Sequence, residues 1–299
     1  MTFRMPQSFA LFRSAVSRLQ RIVRHSHDAR MPLKYAANLS MLFREIPEPT
    51  ERYTAAKRAG FDAVEVSFPY DTAVERLVEV KEREGLEQVL VNCFPGDVKA
   101  GERGLAALPG REQDFKDSLE VSIKYCTALK CKRMHLMAGM IPACSEAERP
   151  LLLRKMEETF ISNLKYAAQR LSKEGILALI EPINTIVSVP GYFLSRQDQG
   201  VDIIKKVGHE NLKLQMDLFH VQIMHGNISN TIKEFFPYIG HMQMAQVPGR
   251  NEPSGDGEVN YDYVVSYLEK LGYTGWMGAE YIPPVKKTED TLQWLKKYR

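Results

Sequence analysis

Eight short apolar runs, each separated from the next by a longer segment with helical spacing, constrain the fold of this chain more than any other feature. The runs cover residues 35–39, 63–67, 88–93, 133–137, 176–181, 212–217, 241–245 and 275–280. Nearly continuous hydrophobicity is typical of strands buried on both faces, as in a parallel sheet. Strands that alternate with helices in this way predict an α/β fold.

The intervening segments and their glycines indicate how the strands are arranged. Leu152, Met156, Phe160, Leu164 and Ala168 form an i+4 ladder, the pattern of a helix with one buried face. Glycines that can end such helices recur every 32 or 33 residues late in the chain, at positions 175, 208, 240 and 272. Eight units of this length predict a single (β/α)8 TIM barrel over residues 31–299. An open doubly wound sheet is the alternative, but no G-x-G-x-x-G follows the first strand.

Residues 1–30 differ from the rest of the chain in charge. They hold six of the 40 basic residues, all arginine, and one of the 37 acidic residues, Asp28, so the remaining body has 34 basic and 36 acidic residues. An Arg-rich, acid-poor, amphipathic extension resembles a mitochondrial transit peptide. A disordered extension, or translation from Met31, is the alternative, so we expect a cytoplasmic or mitochondrial protein. The slightly acidic body argues against a nucleic-acid partner. The sequence contains no run of 18 apolar residues, so we expect no membrane span.

Polar side chains stand at the ends of the last four strands. These are Glu181, Asp217, Gln243 and Glu280. The carboxyl ends of barrel strands form one rim, where such enzymes place their sites. A carboxylate at the end of an apolar strand is costly unless it binds something, and converging oxygen ligands suit Mg²⁺ or Mn²⁺. The sequence therefore predicts a metal set of these four residues, although it leaves open whether a metal is required.

Two glutamates that face each other across such a site suggest proton transfer. We expect Glu181 and Glu280 to be catalytic, one removing a proton next to a carbonyl and the other returning it to the neighbouring carbon through an enediolate. No G-x-S-x-G elbow or P-loop is present, and we expect no organic cofactor. Candidate substrate-binding residues are His220, just past the sixth strand, Arg250 and His135. A core position is an equal alternative for His135, and His241 is expected to be structural.

Two long glycine-containing loops, residues 94–111 and 246–260, follow strands and are therefore predicted on the same rim as the carboxylates. They are candidate lids over a small substrate, and the second of them carries Arg250.

From about Leu33 onward the chain resembles the hydroxypyruvate isomerase family of the xylose-isomerase-like barrel superfamily. The shared motifs are Ala37-Asn-Leu-Ser-Met-Leu-Phe43, Phe68-Pro-Tyr-Asp71, Pro95-Gly-Asp97, Gly101-Glu-Arg-Gly104, Pro109-Gly-Arg-Glu112, Glu181-Pro-Ile-Asn184, Gly257-Glu-Val-Asn-Tyr261 and Gly278-Ala-Glu-Tyr281. The resemblance implies interconversion of hydroxypyruvate and 2-hydroxy-3-oxopropanoate (tartronate semialdehyde), with Glu181 and Glu280 as the proton donor and acceptor. It also implies the metal set given above, in which Gln243 stands where the superfamily has histidine. His220 and Arg250 match substrate-contacting positions of the epimerases in this superfamily.

Three alternatives remain at this point. A metal-dependent ketose 3-epimerase of the same superfamily is the first, and Arg250 weakly favours a carboxylate-bearing keto acid over a neutral sugar. A DNA-repair endonuclease on the same barrel would need a histidine-rich zinc cluster and a basic face, and a non-catalytic scaffold would give no reason for facing carboxylates. The sequence leaves the oligomeric state open, a homo-oligomer included.

Overall fold

Eight parallel strands close into a barrel in the computed structural model, which describes residues 32–299. The strands are β1 (Lys34–Asn38), β2 (Ala63–Val66), β3 (Glu87–Asn92), β4 (Arg133–His135), β5 (Leu177–Ile180), β6 (Leu212–Asp217), β7 (Ile239–Met244) and β8 (Trp276–Ala279). Each strand pairs with its successor in sequence, and β1 pairs with β8 to close the sheet. The predicted (β/α)8 fold is confirmed.

Helices connect the strands on the outside of this barrel. They are α1 (Pro49–Arg58), α2 (Val74–Glu84), α3 (Glu112–Ala128), α4 (Arg149–Ser172), α5 (Gln197–Val207), α6 (Leu218–Met224), α7 (Ile228–Phe235), α8 (Tyr261–Leu271) and α9 (Gln293–Tyr298). The predicted ladder lies on α4, where Met156, Phe160, Leu164 and Ala168 are fully buried. These side chains seal the helix against the barrel because they share one face.

Gly240 was expected to end a helix, and this expectation was wrong. Gly85, Gly208 and Gly272 do follow helices in the left-handed conformation, but Gly240 lies inside β7. A Cβ atom on Gly240 would lie 2.7 Å from Cβ of Lys213 and 2.8 Å from a methyl of Leu179. This glycine therefore serves close strand packing rather than a turn.

Alternation along the strands gives the barrel interior an apolar floor. Ala36, Ala63, Leu179 and Trp276 belong to one buried cluster, separate from the larger core. Because side chains two residues apart in a strand share a face, the next residues on this face are Asn38, Glu65, Glu181 and Gly278. Polar groups therefore stand on an apolar floor and face the rim at the carboxyl ends of the strands.

The predicted N-terminal extension, residues 1–30, lies outside the described residues, and the targeting hypothesis with it. Within residues 32–299 no helix has the length and apolar character needed to cross a membrane. All four cysteines are free thiols, and three of them are buried.

Candidate active site

Five residues that were singled out in the sequence meet at the rim. Glu181 directly follows β5, Asp217 ends β6, His220 lies in α6, Arg250 comes from the loop after β7, and Glu280 directly follows β8. Asp217 is fully buried and Glu280, with 13% of its side chain exposed, is among the more open of the group. We call these five residues the rim cluster.

Arg250 is the cation of the rim cluster. Its Nη2 lies 3.2 Å from Oδ2 of Asp217 and 3.4 Å from Oε2 of Glu280, so one nitrogen bridges two acids. The guanidinium also lies 4.9 Å from the ring centroid of Phe219, a cation–π contact. The loop brings Arg250 back to the rim because the side chain of Gln246, at its start, exchanges two hydrogen bonds with the backbone of Val259, near its end.

Three carboxylates against one guanidinium leave the rim cluster short of positive charge. Burial raises the pKa of Glu280 to about 8, although Arg250 opposes the shift. Burial raises the pKa of Glu181 well above its usual range, and the charges of Glu280 and Asp217 raise it further. The pKa of Asp217 is also raised by burial. Glu280 therefore holds a proton near neutral pH, a property that suits general acid–base chemistry.

Asn184 fixes the tautomer of His220. Oδ1 of Asn184 accepts hydrogen bonds from the backbone N–H groups of Val187 and Ser188. The Nδ2 of Asn184 must therefore face away from this backbone, and it donates a hydrogen bond of 2.7 Å to Nδ1 of His220. Burial lowers the pKa of His220 well below its usual value, which keeps the ring neutral. The single ring proton is therefore on Nε2.

The protonated Nε2 of His220 points between two acids. It lies 3.5 Å from Oε1 of Glu181 and 3.6 Å from Oδ2 of Asp217. Ligand atoms of these three residues all lie within 4.8 Å of one another. However, a nitrogen that carries a proton has no lone pair for a metal. The geometry therefore makes His220 a hydrogen-bond donor to the site, and leaves metal binding to oxygen atoms.

His135, at the end of β4, lies against the same glutamate. Its Nδ1 is 3.2 Å from Oε2 of Glu181, yet neither ring nitrogen makes a hydrogen bond to the part of the chain that the structure describes. Burial lowers the pKa of His135 to about 3, so the ring is neutral. A buried polar ring without a partner beside a candidate catalytic acid is available to a ligand.

Four buried polar residues lie beside the rim cluster inside the barrel, and we call Glu65, Gln215, His241 and Gln243 the Glu65 layer. Glu65, on β2, is fully buried and accepts hydrogen bonds from Nε2 of His241 (2.5 Å) and Nε2 of Gln243 (2.9 Å). Nε2 of Gln215 donates to Oε1 of Gln243 (2.7 Å) and to Oε2 of Glu181 (2.8 Å).

Gln243 lies in register with Asp217 on the neighbouring strand, and its amide bonds Gln215 and Glu65, while His241 occupies the deeper position expected. Glu65 and Gln215 were missed in the sequence, although a charged residue between the valines of β2 was a signal of the same kind as Glu181.

The protein also has a large groove. It has a volume of about 740 Å³ and is lined by residues such as Phe68, Phe94 and Val121, but by none of the rim cluster. Part of the 94–111 loop, one of the two candidate lids, lines this groove. Buried carboxylates with raised pKa values, rather than groove volume, identify the rim cluster as the candidate active site.

Comparison with known proteins agrees with this architecture. The family model described as xylose isomerase-like TIM barrel matches residues 53–298. A solved structure titled AP endonuclease, family 2 from Brucella melitensis is 43% identical, with a TM-score of 0.84, covering 90% of this chain and 100% of that one.

Among curated relatives, a protein of Danio rerio whose name provisionally designates it a hydroxypyruvate isomerase is 50% identical over 267 residues, covering 89% of this chain and 96% of the relative. Hydroxypyruvate isomerase of Escherichia coli is 43% identical, covering 89% and 100%. The 2-oxo-tetronate isomerase of Cupriavidus necator is 45% identical, covering 89% and 98%. Matches of this identity over nearly the whole barrel establish common descent, and the chain belongs to the hydroxypyruvate isomerase family of xylose isomerase-like TIM barrels.

Proposed function

We propose that this protein is a hydroxypyruvate isomerase that interconverts hydroxypyruvate and 2-hydroxy-3-oxopropanoate, a reaction that the resemblance of the sequence assigns to glyoxylate metabolism. The observation that carries the proposal is the pair of buried glutamates, Glu181 and Glu280, whose pKa values are both raised by burial, that of Glu280 to about 8. The proposal is supported by family membership, since relatives that carry this name match nearly the whole barrel.

The reaction needs one base and one acid. In hydroxypyruvate, a glutamate carboxylate removes a proton from C3, and the electron pair of the C–H bond moves into a C2–C3 enediolate. The second glutamate, in its protonated form, gives a proton to C2, while the proton of the C3 hydroxyl moves to the C2 oxygen. Because repulsion between Glu181 and Glu280 favours a single shared negative charge, the pair supplies both protonation states at once.

Three further residues would hold the substrate. Arg250 presents a guanidinium to a carboxylate, in the geometry that suits bidentate hydrogen bonds. His220 offers Nε2–H to an oxygen beside the reacting carbons, since Asn184 holds its tautomer. His135 has two unpartnered ring nitrogens and would bond a substrate oxygen at the foot of the site. Together they would fix a keto acid between the two glutamates.

A divalent cation fits the rim chemically. Three carboxylates face a single arginine, so the cluster has unbalanced negative charge, and hard oxygen ligands suit Mg²⁺ or Mn²⁺. Glu181, Asp217, Gln243 and Glu280 would hold the ion, Gln243 through an amide oxygen that retains a free lone pair. When bound, the ion would polarise the carbonyl and hydroxyl oxygens of the substrate.

The decisive experiment is to follow hydroxypyruvate by NMR with the purified protein, alone, with EDTA and with Mg²⁺ or Mn²⁺. Appearance of 2-hydroxy-3-oxopropanoate that is lost in both Glu181→Gln and Glu280→Gln is the expected result. In D₂O the product should carry deuterium at C2, because the returned proton comes from an exchangeable carboxyl group. No turnover under any of these conditions would refute the proposal.

The second candidate substrate is a four-carbon keto acid, because the 45% identical relative is named a 2-oxo-tetronate isomerase. The same two glutamates and Arg250 would serve it. Comparing kcat/KM for hydroxypyruvate and 2-oxo-tetronate separates the two. A ketose 3-epimerase acts on a neutral sugar and would need no cation to bind a substrate carboxylate, so Arg250 disfavours the epimerase. An endonuclease is disfavoured because a rim of three acids repels phosphodiesters, and because Nε2 of His220 carries a proton and cannot bind zinc.

A further inference from the structure

Glu65 stands outside the reacting pair, and yet it occupies a prepared place in the barrel. Its carboxylate lies over Gly278 of β8, where a Cβ atom would come within 2.3 Å of Oε1 and 2.5 Å of Oε2. Three donors converge on it, since Asn38 adds a contact of 3.3 Å to those of His241 and Gln243. A glycine in mid-strand is unfavourable unless something needs the space. Here the space holds a carboxylate.

The hydrogen bonds of Glu65 set the direction of two amides. A carboxylate only accepts, so Gln243 must turn its Nε2 toward Glu65 and its Oε1 toward Gln215. Gln215 must then turn its own Nε2 toward Gln243, and the second proton of that nitrogen goes to Oε2 of Glu181. Oε1 of Gln215 is left buried without a partner among the described residues. The amides thus act as a directed chain from Glu65 to Glu181.

This direction has a consequence for Glu181. Its Oε2 accepts from Gln215 and lies 3.2 Å from Nδ1 of His135, whereas the polar contact of its Oε1 among the described residues is Nε2 of His220, at 3.5 Å. We propose that Glu65 is a positioning residue, which acts through Gln243 and Gln215 to hold Oε2 of Glu181 and leaves Oε1 as the oxygen that exchanges protons with the substrate. The inference rests on the proposed isomerase function for its kinetic part, and on geometry alone for its structural part.

The structural part is tested without substrate. Side-chain amide signals of Gln243 and Gln215 are recorded in ¹H–¹⁵N spectra of deuterated protein and assigned with Gln243→Met and Gln215→Met. Glu65→Gln should shift the signals of both, because an amide at position 65 can donate as well as accept. It therefore no longer fixes the orientation of the Gln243 and Gln215 side-chain amides. A shift confined to Gln243 would overturn the proposal, whether or not the protein turns over hydroxypyruvate.

The kinetic part uses non-additivity. Glu65→Gln should lower kcat roughly 10- to 100-fold with little change in KM, the loss usual when the partner of an active-site ligand is removed. The double variant Glu65→Gln/Gln215→Met should have the same kcat as Gln215→Met alone, because both substitutions interrupt the same series of hydrogen bonds. Losses that multiply would show that Glu65 acts independently of Gln215 and would refute a positioning role.

A matched control measures the general cost of disturbing a buried side chain in this barrel. Gln88, on β3, is 2% exposed and bonds the hydroxyl of Tyr53, with no link to the glutamates. Gln88→Met should therefore leave kcat and both amide signals unchanged. Should Glu65→Gln not fold, Gln243→Met cuts the same chain. It should move the Gln215 signals and show the same non-additivity with Gln215→Met, and failure of either expectation would contradict the proposal.

Discussion

The rim cluster and the Glu65 layer are neighbouring sets of buried polar residues that differ in how their carboxylates are compensated. In the layer, one carboxylate receives hydrogen bonds from three side chains. At the rim, three carboxylates share one arginine, and burial raises the pKa of each acid. Asp217 and Gln215 belong to different sets although they are two residues apart on β6. Satisfied polar groups stabilise a fold, whereas unsatisfied charge is available to bind and react.

The largest effect should come from removing either rim glutamate. Glu181→Gln and Glu280→Gln should each lower kcat for hydroxypyruvate by about 10²- to 10⁴-fold, the usual contribution of a general acid or base. Both variants should be at least as stable as the wild type, because the replaced carboxyls resist ionisation. The control is Glu87→Gln, which replaces an exposed glutamate at the other end of the barrel. If both variants kept activity within a factor of a few of the wild type, the rim glutamates would be structural groups, as Glu65 is in the Glu65 layer.

Removing the cation of the rim should have the next largest effect. Arg250→Met should raise KM for hydroxypyruvate by about 10- to 100-fold, since hydrogen bonds to a charged group contribute roughly 1.5–3 kcal/mol. Arg250→Lys, which keeps the charge but not the planar fork, should lie between. Steady-state kinetics with a neutral ketose as the second substrate provide the comparison. An equal change in KM for both compounds would mean that Arg250 does not recognise a carboxylate.

Adding a cation should stabilise the rim, where three of its four candidate ligands lie. Mn²⁺ or Mg²⁺ at about 100 times its Kd should contribute roughly 2.7 kcal/mol to the free energy of unfolding. That corresponds to an increase in Tm of a few degrees, which scanning calorimetry before and after EDTA would detect. Asp217→Asn should abolish the increase. An increase that survives in Asp217→Asn would locate the metal outside the rim.

The pH dependence of stability should reveal the raised pKa of Glu280 at the rim. Folding raises the pKa of Glu280 from 4.5 to about 8, so between these values the folded state holds a proton that the unfolded state has lost. Stability contributed by this group therefore falls as pH rises through this window, by at most about 1.4 kcal/mol per pH unit. Urea unfolding from pH 5 to 8 in EDTA should show that Glu280→Gln gains on the wild type with rising pH. Parallel curves would disprove the shift.

The smallest effect concerns the tautomer of His220. Asn184→Asp keeps the oxygen that caps Val187 and Ser188 but replaces the donor with an acceptor. The ring proton should then move to Nδ1, and Nε2 would lose its donor function. A drop in kcat of about 3- to 10-fold is expected from one hydrogen bond between neutral groups, roughly 0.5–1.5 kcal/mol. The ¹⁵N shifts of the His220 ring report the tautomer directly, and unchanged shifts would contradict the assignment.

The sequence by itself determined the barrel, the order of its strands and the rim on which its acids meet. Hydrophobic period and strand count are properties of contiguous residues, and a parallel barrel places every strand end on one rim. For this reason Glu181, Asp217 and Glu280 could be grouped before any contact was known. Gln243 was grouped with them by the same logic, and it lies in register with Asp217, although its amide bonds Gln215 and Glu65 rather than an acid of the rim cluster.

Tertiary structure alone decided how these groups are held. Glu65 meets His241 across 176 positions of sequence, and only closure of the sheet and its register bring the two within 2.5 Å. Arg250 reaches Asp217 because its loop folds back, and His220 has its proton on Nε2 because Asn184 is pinned by its own backbone contacts. Hydrogen-bond direction and pKa depend on the neighbours that surround a side chain in space, and neighbours from distant strands leave no periodic trace along the chain.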